Sequence, residues 1–162
     1  MYTDWLLKMK ENEAQTTLEE RVVELLAEHK MTVTTAESCT GGLIAATLVN
    51  VPGASDVLNE GYITYSNEAK IRLVNVSPET LERYGAVSSQ TAKEMANGAA
   101  KAAKAEAALS ATGIAGPGGG TEEKPVGLVY IGCSVNGKTT AKRCVFDGNR
   151  MENRKHTVET AL

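Results

Sequence analysis

Aromatic side chains are scarce in this 162-residue chain: one Trp, one Phe and five Tyr make up 4% of it. The core must therefore be built from Ala, Val, Leu and Ile, and base-stacking platforms have little to draw on. Positive charge is not in excess either. Seventeen Lys and Arg against 20 Asp and Glu leave a net charge of −3, with no basic field for a nucleic-acid backbone. Nucleic acid is thus excluded as the expected partner. Cys39, Cys133 and Cys144 form no Cys-x-x-Cys pair, and only His29 and His156 could join them, too few for a zinc site. An odd cysteine count argues against a disulfide framework, so free thiols in a reducing cytosol are expected. Neither a metal nor a cofactor is called for. No stretch approaches the roughly 18 consecutive apolar residues of a membrane span, and Met1–Lys10 lacks a leader's apolar segment. The expectation is a cytoplasmic chain with no membrane partner.

What is present is an alternation of helical and strand patterns. Residues 1–15 are polar and read as an N-terminal extension; residues 16–162 read as a single domain. Leu18, Val22, Leu25 and Leu26 share one helical face, and Thr17 with Glu20 fits a capping box. Thr32–Thr35 is a β-branched run that ends in a polar corner, Glu37-Ser38-Cys39-Thr40, before a helix from about Gly41 to Val49 that opens on Gly41-Gly42. Gly61–Tyr65 reads as a strand and Ser66 as the cap of a helix to about Val74. Ser77-Pro78-Glu79 starts another helix, with Leu81 and Tyr84 inward and Gly85 as its stop. An alanine-rich helix runs from Ser88 to about Glu106; its small side chains suit close packing on a sheet, a helix or a second subunit, which makes a homo-oligomer one expectation. Ala107–Thr112 is a buried strand, and Val126–Val135 pairs with Lys138–Phe146 across Asn136-Gly137, the strongest hairpin signal in the chain. A last helix follows Asp147–Arg150. The fold class is α/β: a three-layer α/β/α sandwich around a mixed, mostly parallel sheet of about five strands.

In such sheets ligands gather beyond the carboxyl ends of the strands. Three stretches fall there: the Ser38 corner, the Tyr65–Lys70 turn and the glycine-dense loop after Thr112. Ser38 at a helix start lies beside unpaired N–H donors and the positive end of a macrodipole. Lys70, partly desolvated, would lose basicity and serve as a general base, with Tyr65 relaying the proton or polarising the substrate. Gly113, Gly116 and Gly118 permit an anion-binding concavity, yet their spacing matches neither the P-loop nor the dinucleotide fingerprint. Glu37 and Glu68 are spare carboxylates for Lys70 or a ribose. Residue types alone leave three readings open: an acyl-transfer enzyme, a non-catalytic nucleotide-phosphate binding module, and a Ser–Lys hydrolase of another amide or ester.

Thr34–Gly42, Gly61–Lys70, Gly85–Ser88, Thr112–Gly119 and Glu123–Gly127 together resemble the CinA C-terminal domain family, and the likeness runs from about Thr16 to the last residue. Stand-alone members are similar to nicotinamide-nucleotide amidohydrolases, which convert nicotinamide mononucleotide and water to nicotinate mononucleotide and ammonia. The resemblance implies Ser38 as nucleophile with Tyr65 and Lys70 as activating partners. It implies substrate binding by Glu37, Thr40, Gly41, Gly42 and Asn67, by Thr112, Gly113, Ile114, Ala115, Gly116 and Gly118, and by Arg150. The substrate would be a small nucleotide and the cofactor requirement none. Gly148, Arg150 and Arg154 match a family pattern in which Asn149 stands where an aspartate is usual. Longer members carry a molybdopterin-binding-like domain ahead of the module, and members typically continue the last helix past the position of Leu162.

Overall fold

Val33–Glu37 alternates between two buried faces, Val33 pointing to one and Ala36 to the other, so this strand must lie inside a covered sheet. The computed structural model describes residues 16–162 and places it second in a five-stranded sheet. The strands are β1 (Val33–Glu37), β2 (Tyr62–Ile63), β3 (Ala107–Gly113), β4 (Leu128–Val135) and β5 (Lys138–Val145), in the order β2-β1-β3-β4-β5. β2 and β3 flank β1 in parallel; β4 runs against both β3 and β5. Four strands therefore share one direction, and their carboxyl ends form one rim. One two-residue turn keeps the β4–β5 register: Asn136 and Gly137 both take positive φ, as such a hairpin turn requires.

Among the described residues six α-helices cover the sheet: α1 (Leu18–Glu28), α2 (Leu43–Val49), α3 (Asn67–Val74), α4 (Pro78–Tyr84), α5 (Ser89–Ala103) and α6 (Arg150–Ala161). α1, α2 and α6 pack on one face, over Ile44, Leu48, Leu109, Ala111, Val129 and Val158. α3, α4 and α5 pack on the other, over Ala36, Val74, Val76, Leu81, Met95, Ala99 and Ala108. This is the expected α/β/α sandwich around a mixed sheet.

Details differ where local chemistry intervenes. The α1 stripe is Val22, Val23 and Leu26, with Val23 buried and Leu18 and Leu25 turned outward, because the helix meets the core edge-on beside Leu48 and Val57. Its capping box of Thr17 and Glu20 is as the spacing predicts. α2 begins at Leu43, later than expected, since Gly41 and Gly42 both hold positive φ. The strand expected over Gly61–Tyr65 narrows to Tyr62–Ile63 at the sheet edge. Tyr84 is half-exposed, leaving Leu81 as the one buried anchor of α4. α5 stops at Ala103 because Lys104 turns left-handed and the Glu106 carboxylate leaves to accept from the N–H and hydroxyl of Thr32. The expected extension over residues 1–15 lies outside the described residues.

Gly98 on α5 lets the helix rest directly on α3: a Cβ there would stand 1.7 Å from the Val74 carbonyl oxygen. Helix propensity alone favours Gly98→Ala by about 1 kcal/mol. A backbone oxygen cannot rotate away, so overpacking wins, and the substitution is expected to destabilise the protein by a net ~1–3 kcal/mol in denaturant unfolding. A stabilised variant would contradict this packing.

Candidate active site

Glu37 sets the corner. It is fully buried at the end of β1, and its carboxylate accepts from the N–H groups of Gly42 (3.1 Å), Ile44 (2.9 Å) and Ala45 (2.9 Å). An acid on the N-terminal donors of a helix is a strong, charge-assisted cap. It also consumes those donors, so the α2 N-terminus offers no N–H from these three residues to a ligand. Glu37, expected to bind substrate or to orient Lys70 or a ribose, here spends its carboxylate on the start of α2. Gly41 and Gly42 serve the turn: Gly41 N–H donates to the Ser38 carbonyl (3.1 Å), and both residues stand in left-handed conformation.

Ser38 follows directly. Its N–H extends the β1–β3 ladder by donating to the Ala111 carbonyl (2.9 Å), and its hydroxyl meets the amine of Lys70 at 3.1 Å. Lys70 reaches it from α3, whose cap is Ser66 as its position predicts. Only 1% of Lys70 is exposed. Its Nζ donates to the carbonyls of Thr64 (2.8 Å) and Tyr65 (3.4 Å) besides Ser38 Oγ, and among the described residues no carboxylate pairs with it. Burial pushes its pKa below the ordinary 10.5, against smaller upward pulls from Cys39 and Glu68. A buried amine with three oxygen neighbours and no counter-ion is poised to lose its proton. That is what a general base for a serine hydroxyl requires.

Around the pair the rim is cationic. Arg150, at the start of α6, donates to the Gly116 carbonyl (2.9 Å) and to the Tyr65 phenol (3.3 Å). Arg154, one turn on, donates from Nε to the Cys39 carbonyl (3.1 Å) and from Nη2 to the Thr40 carbonyl (2.9 Å). Among the described residues the ion pairs are Arg21–Glu24 and Lys155–Glu159, so neither arginine is neutralised by an acid. A chain of net charge −3 thus concentrates unpaired positive charge at this spot. The glycine loop closes the rim, with N–H groups of Ala115, Gly116, Gly118, Gly119 and Gly120 making no hydrogen bond among the described residues. Lys124 anchors its return by donating to the Tyr84 carbonyl (2.8 Å).

The predicted site residues divide. Ser38, Lys70, Tyr65, Arg150 and the loop from Gly113 to Gly118 converge. The Tyr65 side chain is 62% exposed and turned to Arg150; it is the backbone carbonyl of Tyr65, not the phenol, that Lys70 meets. Thr112 is buried and its hydroxyl donates to the Ala86 carbonyl, which fixes the end of β3. The Thr40 hydroxyl is buried without a partner among the described residues, as is that of Thr64. Asn67 lies exposed in the first turn of α3. Asn149 caps α6 by accepting from Met151 and Glu152 N–H, a role asparagine fills as well as aspartate. Asn153 was not among the expected site residues. Its buried amide donates to the carbonyls of Ala115 and Gly148, tying the glycine loop to α6. The signal for it was the helical spacing of Arg150, Asn153 and Arg154 on one face.

Cys39 adjoins Ser38 in sequence but points into the opposite core, against Ile44 and Val158, where burial pushes its thiol up to about 11. It is no nucleophile at neutral pH. Among the described residues no three His, Cys, Asp or Glu side chains converge as a metal site, and no helix is long and apolar enough to cross a membrane.

The model of the CinA C-terminal domain matches residues 15–162. Relatives carrying the name competence-damage inducible protein include one from Alkaliphilus metalliredigens, 57% identical over 93% of this chain and 36% of its own, and one from Clostridioides difficile, 52% identical over the whole chain and 38% of its own. The chain therefore spans little more than a third of the length of these curated relatives. Among solved structures, competence/damage inducible protein CihA from Agrobacterium tumefaciens superposes with a TM-score of 0.86 at 46% identity, covering 89% of this chain and 88% of that one. A CinA superfamily protein from Escherichia coli gives 0.85 at 33%, covering 90% and 86%. The sandwich, the corner and the match of sequence agree: this chain belongs to the CinA C-terminal domain family.

Proposed function

We propose that the site is a Ser–Lys amidohydrolase acting on the carboxamide of nicotinamide mononucleotide, releasing nicotinate mononucleotide and ammonia. The observation that carries the reading is the 3.1 Å contact between Ser38 Oγ and a buried Lys70 amine that has no counter-ion among the described residues. Lys70, neutral, takes the hydroxyl proton as Ser38 Oγ bonds to the carboxamide carbon and the carbonyl electron pair moves onto oxygen. The tetrahedral species collapses, the C–N bond breaks, and Lys70 returns the proton to the departing ammonia. Water then attacks the acyl-serine, giving its proton to Lys70 and thence to Ser38, and the acid leaves. Arg150, held by the Gly116 carbonyl and the Tyr65 phenol, suits a phosphate at the mouth of the site. The choice of nucleotide rests on the resemblance of the motifs, and the unpaired arginines favour an anionic substrate of that kind.

Ser38→Ala and Lys70→Met are each expected to lower ammonia release by about 10²–10⁴-fold while nucleotide binding persists. Lys70→Arg should be as inactive as Lys70→Met, because guanidinium does not give up its proton. Saturable nucleotide binding with no ammonia from the wild type would favour a binding module. Turnover of unphosphorylated amides or esters would favour a broader hydrolase.

The pH dependence follows from the same amine. Activity should rise with pH along a limb whose midpoint lies below 10.5, since only the neutral amine is a base. In the window between the folded and unfolded pKa of Lys70, the unfolded chain holds the extra proton. Wild-type stability therefore rises with pH across that window, and Lys70→Met should flatten the rise in melts run at several pH values. An unchanged slope would mean that Lys70 is charged in the folded protein.

A further inference from the structure

Every backbone N–H from Ser38 to Ala45 can be traced to an acceptor, with two exceptions. Ser38 donates to Ala111, Gly41 to Ser38, Leu43 to Thr40, and Gly42, Ile44 and Ala45 to the Glu37 carboxylate. The N–H groups of Cys39 and Thr40 have no acceptor among the described residues. Those two residues directly follow the serine, and their own carbonyls are both held by Arg154, Nε on Cys39 at 3.1 Å and Nη2 on Thr40 at 2.9 Å. One planar fork thus spans two successive carbonyls from the α6 side, a grip a lysine cannot reproduce. The Cys39 carbonyl and the Thr40 N–H belong to one peptide plane, so fixing the first fixes the direction of the second.

We infer that the N–H groups of Cys39 and Thr40 form the oxyanion hole of this site and that Arg154, through the Cys39 carbonyl, is the positioning residue that holds the Thr40 donor in line, while the Cys39 donor shares its plane with the Ser38 carbonyl that accepts from Gly41 N–H. Oxyanion donors act by being oriented before charge develops, so a group that locks the peptide plane of one of them contributes to the transition state without touching substrate. The guanidinium, with no acid partner among the described residues, also adds fixed positive charge behind the hole. Arg154 therefore differs in task from Arg150, which faces the phenol of Tyr65 and the glycine loop. α6, the last element of the chain, completes a corner formed more than a hundred residues earlier.

This inference rests on the amidohydrolase reading, and the experiment separates the two. Ammonia release from nicotinamide mononucleotide is measured for wild type, Ser38→Ala, Arg154→Gln and Arg154→Lys, beside the thiocarboxamide analogue, whose release is followed as loss of its thioamide absorbance. Arg154→Gln is expected to lose about 10²-fold in kcat with KM changed less than about threefold. Its preference for the oxygen over the sulfur substrate should shrink by a similar factor, since sulfur is the poorer acceptor in an aligned hole; a merely destabilised fold would not change that ratio. Arg154→Lys should stay impaired, and it carries the test with the thioamide ratio should Arg154→Gln fail to fold. Wild-type kcat in either variant, an unchanged oxygen-to-sulfur preference, or a loss confined to KM would overturn the positioning role. Wild type without ammonia release, or Ser38→Ala with full turnover, would overturn the amidohydrolase reading and this inference with it.

Discussion

A lysine amine held out of water without a counter-ion is the constraint on which this site depends. Leaving such a group charged in a low-dielectric interior is costly, and a protein can offset the cost by pairing it, by hydrogen bonding, or by letting it discharge. Among the described residues no acid pairs with Lys70; two backbone carbonyls and the Ser38 hydroxyl surround it. The carbonyls of Thr64 and Tyr65 fix the amine in place, and neither is basic enough to keep its proton as a carboxylate would. The result is an orientation without a strong charge partner, which makes the serine contact chemically useful rather than merely structural.

Two further arrangements serve that contact. Glu37, the acid that precedes Ser38, is engaged by donors at the start of α2, so that it stabilises the helix rather than pairing with Lys70. The positive groups at the rim, Arg150 and Arg154, come from α6, which follows β5 and enters at the end of the sheet where β1, β2 and β3 also terminate. Parallel β1, β2 and β3 are what make this convergence possible: each delivers its following loop to the same rim. The fold therefore supplies proximity, and burial supplies the change in basicity.

Much of this was legible in the sequence. Strand and helix order followed from β-branched runs, alanine-rich stretches and helix-start signals such as Thr17, Ser66 and Pro78, whose effects are local. The pairing of Ser38 with Lys70 was legible because both follow strands and parallel topology brings such positions together. What was not legible depends on side-chain direction over long separations. Nothing local says that Glu37 turns to α2, that the Tyr65 phenol turns to Arg150 while its carbonyl meets Lys70, or that Asn153 reaches the loop at Ala115. The length of α5 misled for a related reason: Glu106 is a good helix residue, yet a distant partner, Thr32, claims it.

The charge state of one amine decides the account. Side-chain NMR titration of the folded protein, following the Lys70 Cε and Nζ resonances assigned by comparison with Lys70→Met, measures it directly. The account predicts a midpoint well below 10.5, separated from those of the exposed lysines. A Lys70 that titrates together with the surface lysines, or stays charged above them, would contradict it.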